Sequence, residues 1–180
     1  MTPTEIINYW YSDRISKHWF NSKPELDQEI TDKYEKIWEQ AATGNLIEWS
    51  NTPEGCLALV IILDQFPLNM YRGQVKSFST EQQSVGITLK AIKDNFHKEF
   101  SQDKLSFLFI PLMHSENIEH QNLSVKLFTE FNLERNIRFA EHHRDLISRF
   151  GRFPHRNKIL GRESTDKELT YLASKEAFTG

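Results

Sequence analysis

Seven of the nine arginines, Arg135, Arg138, Arg144, Arg149, Arg152, Arg156 and Arg162, fall within 28 residues, and only Lys158 of the thirteen lysines joins them. A merely soluble surface would not select guanidinium over ammonium. The guanidinium fork grips a carboxylate or phosphate in two parallel hydrogen bonds and tolerates partial burial. The segment therefore points to an anion site or to a buried ion-pair network. Arg135 and Arg138 stand beside Glu134 and Glu141 and read as solvated helix residues. Arg149, Arg152, Arg156 and Arg162 lie near the turn glycines Gly151 and Gly161, where a ligand pocket and a structural network are about equally good readings.

Histidine supplies the proton chemistry that such a site would need. Phe139, His143, Leu146 and Phe150 recur at spacings of four, three and four, which predicts an apolar stripe with His143 pointing inward and His142 one step round towards solvent. The bland alternative is a hydrogen-bonded core histidine. His155 follows in Phe153-Pro154-His155-Arg156-Asn157, and His114-Ser115-Glu116 closes an apolar run at Met113. Ser115 or Asn117 can cap the following helix, and that role alone requires nothing of His114 or Glu116. Catalytic candidates are thus His114, Glu116, His143 and His155, because imidazole titrates near neutrality and a neighbouring carboxylate sets its tautomer. His-Ser-Glu is not a zinc-ligand spacing, and nearby arginines repel a cation, so neither a metal nor another cofactor is expected. No nucleophile stands out either: Cys56 opens an apolar run, and Ser115 lacks a GxSxG elbow.

A further carboxylate is placed oddly. Asp64 ends an almost wholly apolar helix from Pro53 to Phe66, which Pro67 is predicted to stop. There it faces the negative end of the helix dipole, so burial predicts an arginine partner. Arg72 is the local candidate, and Arg152 or Arg156 are distant ones. A structural ion pair is at least as good an explanation as catalysis.

The elements that must carry these residues are helices. Apolar residues recur at helical spacing in Leu26, Ile30, Tyr34, Ile37 and Ala41, in Val85, Leu89, Ile92 and Phe96, and in Leu123, Leu127, Phe128 and Phe131. Thr52 before Pro53 marks one start, and Thr80 with Gln83 and Thr165 with Glu168 fit the capping box. Leu105 to Leu112 has strand-like composition, but Pro111 and the absence of a partner strand favour a kinked helix. No stretch is a linker, so residues 1–180 read as a single all-α domain of antiparallel helical hairpins, either a bundle or a solenoid.

A formal charge of −3 and a pI near 6.2 argue against nucleic-acid binding. The longest apolar run, Cys56 to Leu63, is far below the roughly 20 residues of a membrane span, and the N-terminus has no basic, apolar leader. One cysteine excludes an intrachain disulfide. A cytoplasmic protein with no membrane partner is expected.

Together, Asp64-Gln65-Phe66-Pro67 with Arg72-Gly73, His114-Ser115-Glu116 and Phe150-Gly151-Arg152-Phe153-Pro154-His155-Arg156-Asn157, followed by Leu160-Gly161-Arg162 and Ser164-Thr165, resemble the bacterial "domain of unknown function 924" family. The likeness runs nearly end to end, from Tyr9-Trp10 to the closing helix. It implies a short, right-handed array like the tetratricopeptide-repeat (TPR) superfamily, and it implies no activity. It adds Gln65 and Asn157 to Asp64, Arg72, Arg152, Arg156 and Arg162 as ligand-binding candidates.

Two functions follow. In the first, arginines fix a small anionic ligand while a histidine positioned by Glu116 or Asp64 exchanges a proton, hydrolysis included. In the second, a TPR-like module recognises an acidic peptide or a terminal carboxylate of a protein partner. A third and plainer possibility is a buried network that specifies the fold. An enclosed pocket on which His114, His143 and His155 converge would favour the first, and an open groove the second. Oligomeric state leaves no mark on the sequence.

Overall fold

In the computed structural model, which describes residues 1–178, the apolar stripes become helices and no strand forms among those residues. The helices are α1 (Pro3–Trp10), α2 (Asp13–Ser16), α3 (Pro24–Ala42), α4 (Pro53–Val60), α5 (Phe66–Met70), α6 (Glu81–Lys93), α7 (Gln102–His114), α8 (Ile118–Glu130), α9 (Glu134–Phe150) and α10 (Asp166–Leu172), with short 3-10 turns between several of them. Within this all-α domain the chain forms two compact units, Met1–Pro111 and Leu112–Gly180, whose boundary falls inside α7. The strand-like segment Leu105–Leu112 lies within α7, which carries Pro111 in its interior. No helix among the described residues is long and apolar enough to cross a membrane.

In the first unit the apolar helix is central, as its composition requires: every residue from Gly55 to Pro67 is buried. Thr52 caps α4 by accepting from the Gly55 amide. Gly55 itself is obligatory, since a Cβ there would meet the Trp49 carbonyl oxygen at 1.9 Å. Cys56 lies fully buried with its Sγ donating to the Ser50 carbonyl at 3.3 Å, and burial pushes the thiol up to about 11, so it is a core thiol and not a nucleophile.

Pro67 does not stop this helix. The backbone widens into one π turn, Ile61–Gln65, in which the Phe66 amide reaches Ile61, and continues as α5. The wider turn accommodates a proline that has no N–H for the Leu63 carbonyl and whose ring would press on it. That carbonyl is instead satisfied by the Thr80 hydroxyl at 2.6 Å, which also accepts from Trp38 Nε1 at 3.2 Å. Thr80 therefore makes no capping box at α6, and Gln83 donates to the Ala42 carbonyl. The threonine reads as a cap in sequence because nothing local reveals an unpaired carbonyl seventeen residues upstream.

In the second unit α8 and α9 fold back on one another through a three-residue turn in which Asn132 takes a left-handed conformation, φ 53°. Asn117 caps α8 by accepting from Glu119 N at 2.8 Å, and Ser115 Oγ lies 2.9 Å from His120 Nδ1. Buried Gln121 answers the orphan carbonyls at the end of α7, donating to Met113 and Ser115 at 2.7 Å each. Gly151, left-handed at φ 71°, ends α9. Leu146, Ile147, Phe153 and Tyr171 form one core cluster, with Phe150, Leu172 and Phe178 packed against it. The Thr165–Glu168 capping box is present at α10.

Phe139 departs from the predicted stripe. It is 58% exposed, and the buried face of α9 is Ala140, His143, Leu146 and Ile147. The spacing of four places His143 correctly but allows a neighbouring register, and packing selects the one that buries Ala140.

Candidate functional site

The motif residues of the first unit bear on the π turn. Asp64 and Gln65 are both buried, and Gln65 Nε2 donates to Asp64 Oδ2 at 2.5 Å. Asn69 Nδ2 returns along the helix to the Gln65 carbonyl at 2.9 Å. Arg72, the expected local partner of Asp64, closes its fork on Asp27 instead, at 2.9 and 3.3 Å, and adds Asn69 Oδ1 at 3.4 Å. The packing of α3 against α5 brings Asp27 to it, and with 60% of its side chain exposed Arg72 is a surface residue.

In the second unit the arginines meet carboxylates. Arg162 forks onto Glu116 at 2.7 and 2.9 Å, with its Nε on Asn157 Oδ1 at 3.0 Å. Glu116 also accepts from the Phe153 amide at 2.8 Å, so this carboxylate ties the turn after α7 to the turn after α9. Burial by itself would raise the Glu116 carboxyl, but the Arg162 fork, the Phe153 amide and the Arg156 charge outweigh it and hold it below the usual range. Arg152 forks onto Glu168 at 2.7 and 2.8 Å and donates to the Glu163 carbonyl. That fork leads the effects that pull Glu168 down to about 2. Asn157 completes the frame by donating to Ser164 Oγ at 3.0 Å. Arg156, 7% exposed, donates to the His114 carbonyl at 2.9 Å and lies 4.6 Å over the Phe153 ring. It thereby serves the negative end of α7. Arg135 and Arg138 are exposed.

The imidazoles occupy a different environment. His143 Nδ1 lies 2.7 Å from the Phe139 carbonyl. A carbonyl only accepts, so Nδ1 carries the proton and any proton accepted by the neutral ring arrives at Nε2. The His143 ring stands edge-on at 5.3 Å from Phe153 and 4.7 Å from Phe178. His155 shares both neighbours, at 5.6 Å from Phe153 and 5.1 Å from Phe178. Burial, against the Phe139 carbonyl, pushes His143 down to about 3. Burial and then the Arg156 charge push His155 down to about 4. His114 acts electrostatically on both, so the three histidines share one neighbourhood. His155 Nδ1 is buried with no hydrogen-bond partner among the described residues.

The sequence singles out these histidines but not the two phenylalanines that enclose them. Phe153 sits inside the motif and reads as core. Phe178 carries no local signal, because only the course of the chain after α10 brings it back. Among the described residues no three His, Cys, Asp or Glu side chains are grouped as metal ligands would be.

Residues 6–176 match the family described as "Bacterial protein of unknown function (DUF924)". The chain belongs to that family. A solved structure, that of the protein of unknown function ATU0120 from Agrobacterium tumefaciens, is similar at 33% identity and a TM-score of 0.90, covering 95% of this chain and 96% of that one. No curated protein matches the chain. The fold of this DUF924 protein is thus shared with a solved relative, while neither finding names a reaction.

Proposed function

We propose that the second unit holds a small anionic ligand at the imidazole pair, with His143 and His155 as the proton-exchanging groups, His114 in their neighbourhood and Arg156 as the positive charge. The observation that carries this reading is the buried, unpartnered Nδ1 of His155. Such an atom costs about 1–3 kcal/mol when left unsatisfied, and a ligand atom would recover it. The role of the arginines is narrower than their number suggests. Arg152 and Arg162 hold Glu168 and Glu116 and thereby fix the turn that presents His155, while Arg156 holds the end of α7 and the face of Phe153. Both imidazoles are neutral at pH 7, so their first service is as hydrogen-bonding groups. An arriving anion raises their proton affinity and draws a proton in, which is how acid-base chemistry, hydrolysis included, would begin.

The test is titration of inorganic phosphate and small carboxylates while the ring resonances of His143 and His155 are followed by NMR between pH 5 and 8. Binding that tightens as the pH falls, with uptake of about one proton, is the expected result. Absence of any shift in these resonances at every pH would remove the anion site.

An open cleft of 510 Å³, with Arg149, Lys167, Tyr171 and Glu176 among its lining, favours a second reading. In it a protein or peptide partner lays a carboxylate against Arg149 and Lys167, as a TPR-like module would. Loss of peptide binding in Lys167→Glu with unchanged histidine titration would separate this reading from the first.

A further inference from the structure

Phe178 is an aromatic ring standing against three imidazoles, at 5.9 Å from His142, 4.7 Å from His143 and 5.1 Å from His155. It follows α10 on a stretch of irregular chain. What holds it there carries no charge: its ring packs against the Leu146, Ile147, Phe153 and Tyr171 cluster, and its backbone is latched locally. The Tyr171 hydroxyl accepts from the Phe178 amide at 2.8 Å and donates to the Glu176 carbonyl at 3.2 Å. The Phe178 side is therefore the displaceable wall of the imidazole pair. The other aromatic neighbour of the pair, Phe153, is fully buried in the core, and its backbone is pinned through its amide to Glu116 and through its carbonyl to Arg162.

We propose that Phe178 is a removable cover on the His143–His155 pair, occupying the place where a ligand with a flat unsaturated ring binds.

Such a ring would inherit the edge-on contacts that Phe178 makes with His143 and His155. A polar substituent on it would give a partner to His155 Nδ1, a buried atom with none among the described residues. The inference rests on the anion-site reading and names the class of anion: one attached to an aromatic or heteroaromatic ring. His143 is faced by His142, His114 and Arg156, and His155 by Arg156, Glu116, His114 and Arg162. None of them belongs to the segment that carries Phe178, so lifting that segment changes the solvation of the imidazoles without removing a charge.

The test uses the full chain. Phe178→Ala should raise the proton affinity of His143 and His155 about tenfold or more by NMR titration and should increase their rate of carbethoxylation. Tyr171→Phe, which keeps every ring and removes the latch hydroxyl, should move both readouts the same way by less. It also decides the matter should Phe178→Ala fail to fold. Unchanged titration and unchanged carbethoxylation in the folded variants would overturn the cover. The ring class is read with phenyl phosphate against inorganic phosphate. Phenyl phosphate should gain about tenfold more affinity from Phe178→Ala than inorganic phosphate gains, the gain of inorganic phosphate reporting only the raised proton affinity of the imidazoles. If phenyl phosphate gains no more than inorganic phosphate, the ring class is wrong and the anion site stands. If neither probe perturbs the histidines of either protein, the anion site falls, and the ring class falls with it.

Discussion

The Asp64–Arg72 region of the first unit and the Arg152–Arg162 region of the second carry similar residue types and use them differently. In the first, polar side chains repair a helix. A π turn admits Pro67, Thr80 supplies the hydrogen bond that the proline cannot, and Arg72 makes a surface pair with Asp27. In the second, guanidinium forks hold two carboxylates and fix a turn, and that turn carries an imidazole whose Nδ1 has no hydrogen-bond partner among the described residues. The density of arginines marks where the chain needs a rigid frame. The unsatisfied atom beside the frame marks where a ligand has something to gain.

The largest expected effect tests the frame. Arg162→Ala leaves Glu116 half-buried without its fork and should cost roughly 3 kcal/mol in denaturant unfolding. Arg162→Lys should recover only part of that, because an ammonium cannot reproduce two parallel bonds. A loss under about 0.5 kcal/mol would break the contrast, since the guanidinium would then be available to a ligand. In the first unit Thr80→Val removes the partner of both the Leu63 carbonyl and Trp38 Nε1. The expected loss is about 2 kcal/mol, with a melting transition that stays cooperative. Were Thr80→Val silent, the π turn would need another account.

The imidazole pair should show itself in the pH dependence of stability. Both folded values lie below the ordinary histidine value, His155 at about 4 and His143 at about 3. In the window between those values and about 6.5 the unfolded chain binds more protons than the folded one, so stability falls as the pH falls. The expected slope is about 1.4 kcal/mol per pH unit for each histidine. His155→Phe should halve it, as measured by denaturant unfolding between pH 5.5 and 4.5, where the unfolded imidazole is protonated and the folded one is not. An unchanged slope would mean that His155 is already solvated. Glu168 acts at lower pH: its folded value is depressed to about 2, so its contribution is present above the ordinary carboxylate value and is lost as the pH falls through about 2.

What sequence discloses of this molecule follows from range. Periodicity reports a helix that packs through one face, so α3 is legible residue by residue: Leu26, Ile30, Tyr34, Ile37 and Ala41 are all buried. The box at Thr165 spans three residues and is equally legible. Thr80 has the same local pattern, yet serves a carbonyl in another helix, and no local rule can see that. The candidate site divides in the same way. Histidines and arginines announce themselves by type, whereas the choice of Glu116 for Arg162 and Glu168 for Arg152 depends on which turn folds against which. Phe178, which encloses both imidazoles, is one phenylalanine among thirteen in the sequence.

Arg72 gives the smallest expected effect and the cleanest control. Its fork on Asp27, at 2.9 and 3.3 Å, has the same two-bond form as the forks of the second unit and is only a few tenths of an ångström longer. Geometry alone would therefore rank it with Arg162. Exposure ranks it far below: 60% of the Arg72 side chain is open to solvent against 23% for Arg162, so water screens the pair and replaces it at little cost when it is removed. Arg72→Ala should cost about 0.5 kcal/mol, falling further as salt is added, while the loss in Arg162→Ala should hardly depend on salt. If Arg72→Ala instead cost as much as Arg162→Ala, burial would not be what distinguishes the two regions. The motif that joins Asp64 to Arg72 would then have to be counted as part of the frame.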